Sequence, residues 1–175
     1  MLKQGPNANQ MRADVRIVID DLSGPEIAAL LEAHTAELAS ISPPESKHAL
    51  DLDGLRQPDT VMWSMWEGDV LVGCAALKAL DPTHAELKSM RIAPSHTGRG
   101  LASVLLDHLI AEARARGFRQ ISLETGSMPF FVPARSLYRK HGFTECGPFG
   151  SYRPDPNSVF MTMTLDRGPD ATGPS

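Results

Sequence analysis

Residues 90–106 read MRIAPSHTGRGLASVLL, and the rest of the chain is organised around them. The stretch opens as the end of an apolar strand and breaks at Pro94. It turns through Thr97-Gly98-Arg99-Gly100, then enters an apolar pattern with helical spacing at Leu101, Val104 and Leu105. The first turn of a helix leaves backbone N–H groups without partners, and the aligned peptide dipoles put partial positive charge there. Glycines let that backbone come close to a ligand, so a phosphate or pyrophosphate fits such a nest. Two glycines also make an ordinary turn before a helix, and the neighbouring sequence has to decide. The stretch is not a P-loop, which needs Gly-x4-Gly-Lys. It is not a dinucleotide fingerprint either, because Gly98-Arg99-Gly100 is followed by Ser103 where a third glycine belongs.

Downstream, Leu109 and Ile110 continue the helix, Glu112 and Arg116 form an i,i+4 pair, and Gly117 marks the stop. Residues 119–125 (RQISLET) read as a strand parallel to 84–93, joined to it by a right-handed crossover. Residues 133–141 read as a second helix ending at Gly142, and 143–148 and 159–165 as closing strands around the turn-rich 149–158. Upstream, 14–20 alternates with Val15, Ile17 and Ile19 on one face. Ser23, Pro25 and Glu26 then open a helix carrying Ile27, Leu30, Leu31, His34 and Leu38. The irregular 41–59, with a short helical pattern in 47–55, reads equally as a lid or substrate wall and as a plain connector. Runs 60–67 and 70–80, joined by Gly68-Asp69, give a hairpin that continues into 84–93 as an antiparallel meander. The sum is an α/β chain with a mixed sheet and one central βαβ unit.

A length of 175 residues suits one domain, placed at 13–166, with a polar leader at 1–12 and a Gly/Pro-rich tail at 167–175 expected to be disordered. No apolar run reaches membrane-spanning length and the N-terminus lacks the apolar centre of a signal peptide, so a soluble cytoplasmic protein is expected. A net charge of −4 without a Lys/Arg block speaks against nucleic acid as a partner. Cys74, Cys146 and six scattered histidines suggest neither a disulfide nor a metal site.

Thr97-Gly98-Arg99-Gly100-Leu101-Ala102 is similar to the Gln/Arg-x-x-Gly-x-Gly/Ala acyl-CoA loop of the GNAT acyltransferase superfamily. Leu137-Tyr138-Arg139-Lys140-His141-Gly142-Phe143 resembles that superfamily's Leu-Tyr-x-x-x-Gly-Phe segment, at the right spacing. The resemblance covers residues 14–165. Residues 122–126 (SLETG) and 147–152 (GPFGSY) look like a bacterial subgroup of uncharacterised members. Two positions depart from the pattern: Thr97 replaces the usual Gln or Arg, and Phe131 stands where many members have a cofactor-contacting Asn.

The resemblance implies a central mixed sheet with a splayed parallel strand pair, and acetyl transfer from acetyl-CoA to a primary amine by direct attack. It implies Glu86 as base and Tyr138 as acid toward the CoA thiolate, beside blander readings of a solvated strand carboxylate and a packing tyrosine. Met90 and Ile92 would pair the pantetheine arm through their backbone, and strict alternation would put them on one face with Glu86 and Lys88. The amides of Gly98, Arg99, Gly100, Leu101 and Ala102 would take the pyrophosphate, with the Arg99 side chain either on a phosphate or solvated. His48, Lys88, Arg135 and Tyr152 are candidate acceptor-wall residues, and Lys88 and Arg135 could hold a carboxylate. A small-molecule amine is the leading acceptor; a protein lysine or N-terminus, or a silent acyl-CoA sensor, are the alternatives. A homodimer through the late strands is a further implication.

Overall fold

The structure is a computed structural model that describes residues 14–41 and 52–165. The expected leader and tail, and His48, lie outside the described residues.

Strand β1 (Val15–Asp20) leads into helix α1 (Pro25–Ile41), the single-turn helix α2 (Leu52–Leu55), and the meander β2 (Thr60–Glu67), β3 (Val70–Ala79) and β4 (His84–Ile92). Helix α3 (Leu101–Ala115) crosses to β5 (Gln120–Gly126). Helix α4 (Val132–Lys140), β6 (Thr144–Cys146) and β7 (Ser158–Thr164) complete the chain. The described strands form one sheet in the order β1-β2-β3-β4-β5-β7-β6, and only β4 and β5 run parallel. The mixed sheet and the single parallel pair agree with the sequence reading.

The β2–β3 loop has two residues between the paired Glu67 and Val70, with φ of 59° at Gly68, the first of the two. A hairpin turn that needs positive φ at its first central position explains why the glycine precedes the aspartate. The strand expected over 143–148 shrinks to three residues. Phe143 turns into the core at 2% exposure, and Pro148 has no N–H to offer a ladder.

Each sheet face has its own core. On one face α3 buries Leu101, Leu105, Leu106, Leu109, Ile110 and Ala113 against Trp63, Leu77, Leu87 and Leu123. Each fully buried leucine contributes roughly 1.5–3 kcal/mol, so this helix is held by packing rather than by intrinsic propensity. On the other face α1 and α2 place Ile27, Leu31 and Leu55 on Met62, Cys74 and Ala76.

Strand β4 departs from the strict alternation expected of it. Lys88 pairs with Ala76 and Arg91 with Cys74, so Ser89 and Met90 together oppose Ala75 in a β-bulge. Ser89 takes a φ of 59°, uncommon for a residue with a Cβ. The extra residue resets the phase. Lys88 and Arg91 pair with residues on the α1 face, while Ile92 pairs with Gly73 and Met90 packs into the α3-face core. Grouping Met90 and Ile92 with Glu86 and Lys88 was therefore incorrect for their side chains.

Candidate active site

Strands β4 and β5 are paired at His84↔Gln120, Ala85↔Ile121 and Glu86↔Ser122, and the pairing stops there. Below that point Ser122 is pinned by His84 Nε2 at 2.7 Å and Thr162 Oγ1 at 2.9 Å. Above it the sheet opens into a cavity of about 640 Å³. Glu86 sits at the parting point with 4% exposure. A buried carboxylate needs partners. The Tyr152 hydroxyl donates to Glu86 Oε2 at 2.6 Å, and Lys88 Nζ lies 3.8 Å from Oε1. The late loop thus carries Tyr152 back across the sheet to the one strand carboxylate that faces the cavity from β4. Burial, followed by this bond to a carboxylate, pushes the Tyr152 phenol well above its ordinary range.

Tyr138 lines the same cavity from α4 and packs edge-on against Phe143, with ring centres 5.7 Å apart. Burial pushes its phenol up to about 12, so it stays protonated at neutral pH. Arg135, one turn earlier, donates to the carbonyls of Gly126 at 2.6 Å and Met128 at 3.2 Å. It fixes the end of β5 and is not among the residues lining the cavity. Phe131, in place of the usual Asn, lays its ring over Gly126, where an added Cβ would fall 2.1 Å from Cδ2. Only glycine fits beneath that ring.

The glycine turn opens a smaller cavity of about 190 Å³ lined by Ile92, His96, Gly98, Gly100, Ala102 and Leu137, among others. Gly98 and Gly100 have φ of 79° and 77°, and Gly100 starts α3 without a side-chain cap. The amides that open α3 have no side-chain cap and border this cavity, which suits a diphosphate. The Arg99 side chain is committed elsewhere: its guanidinium donates to both Glu67 carboxylate oxygens, at 2.6 and 3.3 Å. That contact holds the Glu67 carboxyl below its usual range.

Sequence reasoning passed over four residues that line the large cavity. The Ser89 hydroxyl, in the bulge, is buried with no hydrogen-bond partner among the described residues. His34 lies on α1, and burial lowers its imidazole to about 4, leaving it neutral at pH 7. Arg91 is paired with Glu37 of α1. Lys78 stands opposite Glu86 in the β3–β4 register. Of these, only Lys78 had a signal, since register within a meander follows from its turns. The bulge hid the two β4 residues, Ser89 and Arg91.

The chain matches the model of the acetyltransferase (GNAT) family over residues 27–143. It is 52% identical over 151 residues to the uncharacterised N-acetyltransferase YsnE of Bacillus subtilis, which covers 86% of this chain and 100% of that protein. Identity to the uncharacterised N-acetyltransferase YedL of Escherichia coli is 48% over 149 residues, 85% of this chain and 94% of that one. A crystal structure of a GNAT family acetyltransferase from Elizabethkingia anophelis with acetyl-CoA bound superposes with a TM-score of 0.64 at 18% identity, over 87% of this chain and 99% of that chain. With a family model running from α1 past the end of α4, and relatives about half identical along nearly their whole length, this chain belongs to the GNAT family of acetyltransferases.

Proposed function

We propose that the chain transfers an acetyl group from acetyl-CoA to the primary amine of a small molecule by direct attack. The observation that carries this is Glu86, buried and oriented at the point where β4 and β5 part, in the same cavity as Tyr138. Acetyl-CoA supplies the activated thioester; the Elizabethkingia structure holds it on the same fold. The residues present fit the coenzyme: an uncapped helix start behind two glycines for the diphosphate, and a bulge that frees backbone for its arm. The backbone of Met90 and Ile92 has no β5 neighbour beyond Glu86↔Ser122, so it is available to an extended ligand as a further strand would be.

An alkyl ammonium has a pKa of roughly 10, so an acceptor amine must lose a proton before it attacks. Glu86 takes that proton, directly or through one water, with Tyr152 holding one carboxylate oxygen and leaving the other toward the cavity. Tyr138 serves the leaving sulfur. A phenol at about 12 is a weak acid beside a thiol near 8.5, so complete transfer is uphill by roughly 5 kcal/mol. A hydrogen bond from the phenol to the developing thiolate charge avoids that cost, and we assign Tyr138 that role. Leu38 of α1, Leu55 of α2 and Gly150 of the late loop wall the acceptor side, which favours a small molecule over an open peptide groove.

The test is release of free CoA thiol across a panel of small primary amines and a panel of lysine and N-terminal peptides. Turnover confined to small amines supports the reading. Turnover confined to peptides, or acetyl-CoA binding with no turnover in either panel, contradicts it.

A further inference from the structure

The acceptor half of the cavity sets two ammonium groups beside two carboxylates. Lys78 on β3 is the cross-strand partner of Glu86 on β4, Lys88 on β4 lies 3.8 Å from the same carboxylate, Glu124 lines the cavity from β5, and Tyr152 bonds Glu86. The remaining charged or titratable groups there are already accounted for. Arg91 is paired with Glu37, and His34 is neutral at pH 7. Glu124 accepts from Ser158 Oγ at 3.1 Å. Lys78 makes no ion pair or hydrogen bond with any described residue through its ammonium, although it lines the cavity. Lys88 has only its 3.8 Å approach to Glu86, beyond hydrogen-bond reach. An acceptor amine moving up to Glu86 comes close to the Lys88 ammonium, 3.8 Å from that carboxylate, in the cavity that Lys78 also lines. A purely cationic amine would be repelled by them; an anion on the same molecule would be held.

We propose that the acceptor is an amine that also carries a carboxylate, an amino acid or amino-acid-like zwitterion, with its amine at Glu86 and its carboxylate held by Lys78 and Lys88. This rests on the amine-transfer reading and narrows its substrate class. The 3.8 Å between Lys88 Nζ and Glu86 Oε1 suits an amine and a carboxylate separated by one or two carbons. In the transfer step the amine nitrogen bonds the acetyl carbon, the carbon–sulfur bond breaks, and CoA leaves as thiolate. The nitrogen loses two protons in all: Glu86 takes the one shed before attack, and the one shed as the carbon–nitrogen bond forms passes, directly or through water, to the departing thiolate, which is released as the free thiol. The carboxylate takes no part in the bonds made or broken, so its contribution is to affinity and orientation.

The experiment measures kcat/KM by thiol release for the common amino acids, for the amide of each, and for the matching decarboxylated amine. At least one acid is expected to exceed its amide and its decarboxylated partner by roughly tenfold or more, as one charged hydrogen bond warrants. Lys78→Met and Lys88→Met are expected to bring that ratio toward one by raising KM for the acid, while Lys88→Arg keeps most of it. Amides or decarboxylated amines used as well as the acids, or a ratio unchanged in both methionine variants, would overturn the proposal. Turnover of none of the acids would also overturn it, and turnover of carboxylate-free amines in the same panel would leave the amine-transfer reading intact.

Discussion

On the proposed reading, the groups that meet a ligand at the glycine turn are backbone amides from one short run of chain. At the acceptor end they are side chains from α1, β3, β4, β5 and the 149–152 loop. The first end depends on conformation, namely positive φ at Gly98 and Gly100 and a helix that begins without a cap. It is blind to most side chains. The second end depends on which side chains the topology brings together, and one substitution there changes the chemistry without changing the fold. On the proposed assignment coenzyme recognition and acceptor choice are separable, and substitutions at the two ends should fail in different ways.

The sharpest contrast is expected from Gly100→Val. A β-branched residue at φ 77° is strained by roughly 1–3 kcal/mol and crowds the cradle, so acetyl-CoA binding measured by calorimetry should be lost while the circular dichroism of the fold persists. Wild-type affinity would break the comparison at its coenzyme end. Glu86→Gln is expected to lower kcat by roughly 10²–10⁴ with acetyl-CoA affinity unchanged. A kcat within a few-fold of wild type would remove the base. Tyr138→Phe should lower kcat by roughly ten- to a hundredfold, the worth of a hydrogen bond to a charged group, again without loss of coenzyme affinity. Weakened coenzyme binding with unchanged turnover would reassign Tyr138 to the other end.

The smallest effect concerns stability. His34 titrates near 4 in the folded chain and near 6.5 when unfolded, so between those values the unfolded state binds more protons. Its contribution is present above pH 6.5 and lost as pH falls toward 4, about 2 kcal/mol of it between pH 7 and pH 5. Urea unfolding of wild type and His34→Gln at both pH values should show a shallower pH dependence in the variant. Parallel losses would show that α1 does not bury this imidazole as described.

The same contrast governs how much the sequence disclosed. The glycine turn, its helix and the parallel crossover were legible because each follows from local chemistry: Pro94 ends a strand, two glycines turn, and Leu101, Leu105 and Leu109 repeat at helical spacing. Glu86 and Tyr138 were named through the family resemblance, and the structure brings both to the large cavity. Of the acceptor wall, Lys88 and Tyr152 were named from the sequence and do line the large cavity, but the contacts that shape it were not legible. Lys78 meets Glu86 through strand register, Arg91 meets Glu37 across 54 residues, and Tyr152 reaches Glu86 across 66. The bulge at Ser89 has no composition signal, since neither glycine nor proline marks it, and it moved Arg91 and Ile92 to faces that alternation did not give them. Arg135 looked like a substrate cation because a surface arginine on a helix carries no sign of the two carbonyls it ties.

The central claim is that the amides opening α3 hold the diphosphate of acetyl-CoA, with the thioester at the divergence of β4 and β5. A crystal structure of the chain with CoA tests it most directly. The account predicts phosphate oxygens within hydrogen-bond reach of the amides of residues 98–102, and the sulfur in the large cavity beside Tyr138. A diphosphate bound elsewhere, or a sulfur remote from Glu86 and Tyr138, would contradict it.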